Sequence, residues 1–469
     1  MSLQLQFLGA AQSVTGSSHL LEVNGTKVLV DCGLYQEREL RYRNWNPFPI
    51  NPQTIDIVLL THGHLDHCGL LPKLVKEGFK GKIMCTPPTQ EIANTVLLDS
   101  ARIQEEDAQF KRKRHERERR KGPYPEIPLY TENDAKKVFS LFELIEYEKI
   151  VNINSSVSIN FHDAGHILGS SMIKVRVKSK DGEKIILFSG DVGRWNKPII
   201  RDPTIFKQAD YILIESTYGD RLHKDPSDIK NMLGDIINST DKNGGNLIIP
   251  SFAIERTQEL LYYLSELLYE DRIPHLLTFV DSPMAINITD IFKDYEDYFD
   301  KEMLNRIYSG NHPFYFSTLK LTRSTQESKA INHIKASCII IAGSGMCTGG
   351  RIKHHLISNI SRPESTILFV GYQAKGTLGR QIVEGIKNVR IHGQIYPVRA
   401  NVVQINGLSA HADQSELLRW LSSIQSPPKH IFVVHGEQSV AFKFADIIHK
   451  KYNWKTSVPK YLDIAKSLI

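Results

Sequence analysis

The chain of 469 residues contains only five cysteines, which are scattered and include no CxxC pair. Sparse thiols of this kind argue against a disulfide framework and favour a reducing compartment, the cytoplasm. No stretch approaches about eighteen consecutive apolar residues, so no membrane-spanning helix is expected. The opening residues 1–9 lack the basic region and cleavage site of a signal peptide, and they alternate like a strand. We therefore expect a soluble, cytoplasmic protein without a membrane partner.

Internal repeats are also missing, and strong compositional bias is confined to one basic segment. Hydrophobic residues make up 41% and charged residues 23% of the chain, as in ordinary globular proteins. The length exceeds what one core usually holds, so two or three domains are expected. The formal net charge of +6 permits a polyanionic partner without requiring one. Function must therefore be sought in the motifs.

The order of strand-like and helix-like segments predicts an α/β protein with two architectures. Residues 1–210 contain mainly strands, with helices near 65–77 and from 89 onward, which predicts two packed sheets covered by helices, an αβ/βα sandwich. Residues 211–400 change to short apolar strands followed by helical sequence, the pattern of a parallel sheet flanked by helices. Residues 401–469 return to the first pattern, with strands at 401–405 and 430–434. The predicted second domain is thus an insertion into the first.

The most informative segment is Thr61–His67, which follows a buried strand and contains three histidines and an aspartate. His62 and His64 lie two apart in a turn and can face one ion, whereas Asp66 and His67 can face a second. Imidazole and carboxylate are ligands that suit zinc. A polar turn that caps a helix is the alternative, but it explains the aspartate and glycine and leaves the histidines unexplained. The segment therefore predicts a metal site.

Further ligands follow other apolar runs. His166 lies in a glycine-flanked loop, Asp191 ends the segment Phe188-Ser189-Gly190-Asp191, and His435 follows Val433-Val434. A single loop histidine is more often an ordinary surface residue. Three ligands at strand ends would project from one sheet edge and converge from distant parts of the chain. They are candidates to complete the metal site.

This order of motifs resembles the metallo-β-lactamase superfamily and, within it, the β-CASP nucleases. The match covers nearly the whole chain and is most similar to the branch that includes the endonuclease subunit of eukaryotic pre-mRNA 3′-end processing and short prokaryotic ribonucleases. The segments 250–253, 281–284, 343–346 and 371–377 are also typical of this group. The residues that match its motifs are Asp31, His62, His64, Asp66, His67, His166, Asp191, Glu215, His411 and His435.

The resemblance implies a metallo-β-lactamase sandwich with an inserted β-CASP domain, acting as a zinc-dependent ribonuclease on RNA phosphodiester bonds. One zinc would be held by His62, His64 and His166, and a second by Asp66, His67 and His435. Asp191 would bridge the two ions, for which manganese is a possible substitute. Two such ions lower the pKa of a shared water and stabilise an in-line displacement. A homodimer fits the family, although no residue pattern in the chain indicates one.

The resemblance also implies catalytic roles for residues outside the ligand set. His411 is the candidate general acid that protonates the leaving oxygen, and Glu215 would hold its imidazole in one tautomer. Without the resemblance, His411 is equally well interpreted as a helix-capping residue beside Ser409 and Asp413. Asp31 is expected to orient a metal-binding histidine, and a simple turn aspartate is the alternative.

Two further features are candidate RNA-binding elements. The turn of Gly343, Ser344, Gly345 and Met346 offers backbone N–H groups to a phosphate, a weak signal because such turns are common. Lys375 and Arg380 are candidates to support it, although each is more often a solvated charge. Residues 111–121 include eight Lys or Arg. They predict either an RNA-phosphate surface or a solvated helix end with i,i+4 ion pairs.

Four other activities must be weighed against RNA endonuclease. A thioester or lactone hydrolase would share the zinc motif but would not need the insertion, Glu215 or His411. A DNA-directed β-CASP nuclease typically lacks the last histidine, which is His435 here. An inactive RNA-binding scaffold would have lost ligands. A 5′–3′ exoribonuclease is the hardest to exclude, and endonuclease is preferred because the extra C-terminal domain of the exonucleolytic relatives does not follow the last motif.

Overall fold

The computed structural model describes residues 2–122, 124–179, 182–223 and 228–466. It divides into two compact units, one of residues 1–196, 201–222 and 411–469, and one of residues 197–200 and 223–410. No helix among the described residues is both long and apolar enough to cross a membrane. The strands, in chain order, are β1 (Leu3–Phe7), β2 (His19–Val23), β3 (Thr26–Val30), β4 (Ile57–Leu59), β5 (Lys82–Cys85), β6 (Phe142–Leu144), β7 (Val151–Asn152), β8 (Val157–Asp163), β9 (Ser171–Ser179), β10 (Gly182–Phe188), β11 (Tyr211–Glu215), β12 (Leu247–Pro250), β13 (Leu277–Val280), β14 (Leu319–Leu321), β15 (Cys338–Ala342), β16 (Thr366–Phe369), β17 (Asn388–Ile391), β18 (Gln394–Pro397), β19 (Asn401–Gln404), β20 (His430–Val434), β21 (Thr456–Ser457) and β22 (Ile464–Lys466).

The helices cover the sheets of both units. Their N-termini often carry a side chain that accepts a backbone N–H, as Thr131, Ser324 and Asp413 do. In chain order they are α1 (Leu65–Cys68), α2 (Leu71–Lys76), α3 (Pro87–Glu118), α4 (Glu132–Phe139), α5 (Ile229–Lys242), α6 (Arg256–Tyr269), α7 (Pro283–Asp294), α8 (Lys301–Tyr308), α9 (Thr325–Ile331), α10 (Ile352–Asn359), α11 (Leu378–Val383), α12 (Gln414–Ser422) and α13 (Gln438–Tyr452).

The first unit is built from two seven-stranded sheets, with the strand orders β22-β1-β2-β3-β4-β5-β6 and β21-β20-β11-β10-β9-β8-β7. The burial of β1 alternates along its sequence LQLQF, as expected for a strand with one face on a core. That core lies between the sheets and includes Phe7, Leu21, Phe161 and Phe188. A second cluster packs α12 and α13 on the outer face of the second sheet. This arrangement is the predicted αβ/βα sandwich, and the fold class is confirmed.

The second unit contains a six-stranded parallel sheet in the order β14-β13-β15-β12-β16-β19, and a separate β17-β18 ribbon. The strands β12, β15 and β16 are buried along their whole length, which explains their continuous apolar sequences. The helices between successive strands supply the crossovers that parallel pairing requires. The predicted parallel sheet flanked by helices is present.

Three sequence-based boundaries need correction. The helix predicted near 65–77 is two helices, because Pro72 near the start of α2 has no backbone N–H to continue α1. The strand Tyr211–Glu215 pairs with β10 and β20 of the first unit, and the main segment of the second unit begins after residue 222. The strand Asn401–Gln404 pairs with β16, so the second unit extends past residue 400. The assignment of functions to these domains stays a prediction.

The packing between the two sheets predicts a large stability cost for Phe161→Ala. Phe161 lies fully buried in β8, and truncation leaves a cavity that two paired sheets cannot close. We expect a loss of about 3–5 kcal/mol in the free energy of unfolding, measured by urea denaturation with circular dichroism. The exposed Ile150 provides the control, since Ile150→Ala should change stability by less than about 0.5 kcal/mol. Equal effects of the two changes would contradict this description of the core.

Candidate metal centre

The carboxyl ends of neighbouring strands bring the candidate site together. In the second sheet β10, β11 and β20 are adjacent and parallel, so their carboxyl ends share one edge. Asp191 follows β10, Glu215 is the last residue of β11, and His435 follows β20. In the first sheet the turn 60–64 leaves β4 and leads into α1. Distant motifs therefore meet for the topological reason that the sequence suggested.

The first cluster consists of His62, His64, His166 and Asp191, whose candidate ligand atoms all lie within 4.8 Å of one another. The Nδ1 atom of His64 lies 3.0 Å from His62 Nε2 and 3.2 Å from His166 Nε2. The side chains of His62 and His166 are fully buried. Gly165 and Gly169 flank His166 with positive φ angles of 62° and 76°, which lets the chain bend sharply around the imidazole.

The second cluster consists of Asp66, His67 and His435. His67 Nε2 lies 3.1 Å from His435 Nε2, and His435 Nε2 lies 3.5 Å from Asp66 Oδ2. The backbone N–H of His435 donates to Ala10, and the backbone carbonyls of Asp66 and His67 accept from Ser17 and Cys32. The loops of the first sheet thus hold this cluster in place.

Asp191 connects the two clusters. Its Oδ2 atom lies 3.4 Å from the Nε2 atoms of both His62 and His166, and its Oδ1 atom lies 3.3 Å from His67 Nε2 and 3.6 Å from His435 Nδ1. The carboxylate therefore presents one oxygen to each cluster. The preceding Gly190 has φ of 52°, a left-handed conformation that allows the close turn out of β10.

The protonation behaviour of the imidazoles follows from their surroundings. Burial lowers the pKa of His62 and His166, and it lowers the pKa of His64 to about 3. These three rings are therefore neutral near pH 7, the form that binds a metal. Burial opposes ionisation of Asp191, but the imidazoles of His435 and His67 outweigh it and hold the pKa of Asp191 below its ordinary value.

The chemistry of these groups fits metal ions. Asp191 Oδ1 is buried and makes no hydrogen bond to any of the described residues, which is costly for a carboxylate unless a cation lies beside it. Five histidines and two aspartates converge in the two clusters. Imidazole nitrogen with carboxylate oxygen is a donor set for zinc. The residues present can hold metal ions in both clusters.

Asp31 orients one of the candidate ligands. Its Oδ2 atom lies 2.7 Å from His67 Nδ1, and its Oδ1 atom accepts the backbone N–H of Thr61 at 2.8 Å. The residue has φ of 61°, an unusual conformation for a side chain other than glycine. The predicted contact between Asp31 and a candidate metal histidine is thus present, and the carboxylate does more than stabilise its own turn.

His411 and Glu215 are also in contact. His411 Nδ1 lies 3.1 Å from Glu215 Oε2, and it lies 3.8 Å from Asp191 Oδ2. Burial lowers the pKa of His411, but the carboxylates of Glu215 and Asp191 outweigh it and raise the pKa to about 9. Asp413, which accepts the N–H of Glu416, caps α12. The capping role considered for His411 therefore belongs to Asp413.

Two threonines of the site were missed by the sequence analysis. Thr61 Oγ1 lies 3.0 Å from His62 Nδ1 and contacts the Asp31 carboxylate, and Thr217 Oγ1 lies 3.1 Å from His435 Nδ1. Each hydroxyl fixes the ring of a candidate ligand. Thr61 is next to His62 in sequence, a weak signal, whereas the partner of Thr217 is 218 positions away.

The candidate phosphate residues lie in the second unit. The turns 343–346 and 371–379 adjoin, because Gln373 donates to the Gly345 carbonyl and the N–H of Gly379 donates to Met346. The Ser344 hydroxyl accepts the N–H of Thr348 within its own turn. Lys375 is exposed, whereas the Arg380 guanidinium is paired with Glu384 at 2.6 Å. Among these side chains Lys375 is the more available one.

Three family models match the chain. Residues 20–197 match a metallo-β-lactamase superfamily domain, residues 257–382 match a β-CASP domain, and residues 395–459 match a domain described as a Zn-dependent metallo-hydrolase RNA specificity domain. Together these matches span both units and include most of the candidate site. They agree with the resemblance that the motifs suggested.

One similar protein is ribonuclease TTHA0252 of Thermus thermophilus. It is 37% identical over 430 residues, and the alignment covers 92% of each of the two chains. Transcription termination factor FttA of Methanocaldococcus jannaschii is 30% identical over 472 residues, covering 98% of this chain and 71% of the relative. A solved structure of a protein of unknown function from Enterococcus faecalis aligns over the full length of both chains with a TM-score of 0.55 and 11% identity. That likeness concerns the fold alone.

The contact between Asp31 and His67 predicts that Asp31→Asn weakens metal binding without unfolding the protein. The amide cannot hold the His67 imidazole as the carboxylate does, and outer partners of this kind typically contribute a factor of about 10–100 in affinity. Zinc affinity would be measured by competition with a chromogenic chelator. The matched control is Asp56→Asn, whose carboxylate accepts the N–H of Lys27. Equal zinc affinity of the two variants would contradict the role of Asp31.

Proposed function

The chain belongs to the β-CASP family of the metallo-β-lactamase superfamily, and from this premise we propose that it is a zinc-dependent ribonuclease. The observation that supports the proposal most strongly is the position of the Asp191 carboxylate between two histidine clusters. A single carboxylate that faces two sets of metal-binding groups suits a two-metal hydrolase of phosphodiester bonds. The reaction proposed is hydrolysis of RNA.

The proposed ligand sets follow the two clusters. His62, His64 and His166 would hold one zinc ion, and Asp66, His67 and His435 the other, with Asp191 shared. Manganese would be a substitute that the oxygen and nitrogen donors also accept. Ions held there supply Lewis acidity, which lowers the pKa of water and stabilises negative charge on a phosphate.

The protein's own side chains would then position the reacting groups and protonate the leaving oxygen. Glu215 accepts from His411 Nδ1 and fixes the tautomer, so that the transferable proton is on the other ring nitrogen. We assign to His411 the role of general acid that protonates the leaving 3′ oxygen. Asp31 acts through His67 and keeps that imidazole aimed at its cluster. Asp66 would have two roles, as a ligand and as an acceptor that helps to place the attacking water.

RNA is favoured over other substrates for two reasons. The segment 395–459 matches a domain described by RNA specificity, and one of the most similar relatives is named a ribonuclease. A thioester or lactone hydrolase would have no need for the pair of Glu215 and His411, and a DNA-directed nuclease would not need His435. In the second unit we propose that Lys375 and the turn of Gly343, Ser344, Gly345 and Met346 bind RNA phosphates, with Arg380 as a weaker candidate. Endonucleolytic cleavage, a homodimer and the cytoplasmic location stay predictions.

The first test is cleavage of RNA labelled separately at its 5′ and 3′ ends, with zinc or manganese present. We expect internal fragments from both labels and a preference over DNA of the same sequence, as an RNA endonuclease requires. Mononucleotides released from the 5′ end would replace endonuclease by exonuclease. Cleavage of a thioester but not of RNA, or no cleavage at all together with unchanged behaviour of Asp66→Ala, would contradict the proposed function.

A second test separates the ligand role from the acid role. We expect His411→Ala to retain zinc but to lower kcat by a factor of about 100–10,000, because it removes only the proton donor. We expect His67→Ala to lose zinc as well, measured by atomic absorption of the purified protein. His275→Ala, which changes an exposed histidine of the second unit, is the control. Loss of zinc from the His411 variant would show that the two roles are wrongly divided.

A further inference from the structure

The helix α3 connects the candidate metal centre to the most basic segment of the chain. Its first turn packs on the ligand loops, where Thr86 and Thr89 both donate their hydroxyl groups to the Gly169 carbonyl. A side chain on Gly63 would collide with Ile92, one turn further along the helix. The helix then continues to Glu118. The start of α3 is therefore held against the loops that carry His62, His64 and His166.

The far end of α3 and the three residues that follow it together carry a net charge equal to that of the whole chain. Residues 111–121 include eight basic and two acidic residues, a net charge of +6, which equals the formal charge of all 469 residues. The rest of the chain thus carries equal numbers of basic and acidic residues. Such a concentration creates a local positive potential that attracts a polyanion.

Only part of this charge is neutralised within the protein. Arg114 and Arg120 share Glu118, and Lys111 lies 3.8 Å from Asp107. The expected i,i+4 pairing therefore exists, but it accounts for a minority of the cations. Arg112 is exposed and donates to a backbone carbonyl instead of a carboxylate. Four further cations are exposed and form no ion pair with any of the described residues, namely Lys113, Arg117, Arg119 and Lys121.

The terminal turns of α3 have a fixed orientation. His115 is buried on the inner face, where its Nδ1 atom lies 2.5 Å from Glu126 Oε1. Arg112 donates to the Glu126 carbonyl, and Gln104 accepts the N–H of Leu129. On the opposite face, at helical spacing from one another, lie Phe110, Lys113 and Arg117. Phe110 is 65% exposed, which is unusual for a phenylalanine next to so many charges.

We propose that this basic face, defined as Phe110, Lys113 and Arg117 of α3 together with Arg119 and Lys121 just after the helix ends, is a second binding site for the single-stranded RNA substrate. The inference rests on the proposed function. Cations without internal partners bind phosphates, and an exposed aromatic ring offers a surface on which a base stacks. The helix begins at the candidate metal centre and ends in the basic residues. This connection favours the substrate of that centre over a lipid or a protein as the partner.

The length of α3 determines which substrates reach the site. At about 1.5 Å per residue, Lys113 lies about 32 Å along the helix from Ile92, which packs on the ligand loops. About nine nucleotides cover that distance at the 3.4 Å spacing of stacked bases, and four nucleotides cannot cover it. The basic face therefore strengthens the binding of long RNA and does not change the binding of a tetranucleotide.

The test compares the quadruple variant K113Q/R117Q/R119Q/K121Q with a control that removes four exposed lysines of the same unit, K80Q/K82Q/K149Q/K178Q. Binding of a fluorescent 20-nucleotide RNA is measured by anisotropy at several salt concentrations, in an Asp66→Ala background that prevents cleavage. We expect the quadruple variant to bind about tenfold or more weakly and to reduce the slope of log affinity against log salt by about 2–3. The control should change neither quantity comparably.

Phe110→Ala distinguishes stacking from charge. We expect this variant to weaken binding about fivefold or more while the salt slope stays unchanged. In the cleavage-competent protein, the quadruple variant should lower kcat/KM for the 20-nucleotide RNA about tenfold and leave the tetranucleotide within about twofold. Unchanged tetranucleotide cleavage also shows that the variant is folded and holds its metals.

Several outcomes would overturn the inference while leaving the proposed ribonuclease intact. One is equal binding and equal salt slopes for the quadruple variant and its control. Another is an equal loss on long and short RNA. A third is loss of binding to vesicles that contain phosphatidylserine without any loss of RNA binding. If the unmodified protein cleaves no RNA of either length, the proposed function fails, and the binding measurement still decides the inference.

Discussion

The Asp191 carboxylate is the group on which the rest of the candidate site depends, because each of its oxygen atoms faces a different cluster of imidazoles. It is buried, and the imidazoles of His435 and His67 are the main groups that keep its pKa below the ordinary value. Through this carboxylate the two candidate metal-binding positions form a single site. Glu215 lies nearby because the strand that ends at Glu215 is the neighbour of the strand that leads to Asp191, and His411 contacts Glu215.

Adjacent parallel strands place these groups with little dependence on the sequence between them. The strands β10, β11 and β20 end at the same edge. The helix α3 follows β5 of the other sheet, and Thr86 at its start donates to the Gly169 carbonyl in the loop between β8 and β9. A rigid edge of this kind holds side chains more accurately than a single long loop could. The same construction lets one long helix begin beside the metal centre and carry its basic residues far from it. Chemistry and substrate capture would then be separated by a fixed distance.

The sequence alone predicted the architecture and the convergence of the main metal-binding side chains, because short-range patterns indicate where strands end. Histidines and aspartates after apolar runs indicate strand ends, so His166, Asp191 and His435 could be expected at one sheet edge. Pairing between distant strands is not local, and the strands 211–215 and 401–404 were therefore assigned to the wrong units. Hydroxyl partners such as Thr217 could not be recognised, because a threonine near a strand end has no distinguishing pattern.

The central claim is that two metal ions lie on either side of the Asp191 carboxylate. Anomalous diffraction at the zinc absorption edge, from crystals of the protein grown with zinc, tests it most directly. The account predicts two peaks, one within coordination distance of His62, His64 and His166 and one within that distance of Asp66, His67 and His435. A single peak, or zinc bound only outside these clusters, would contradict the account.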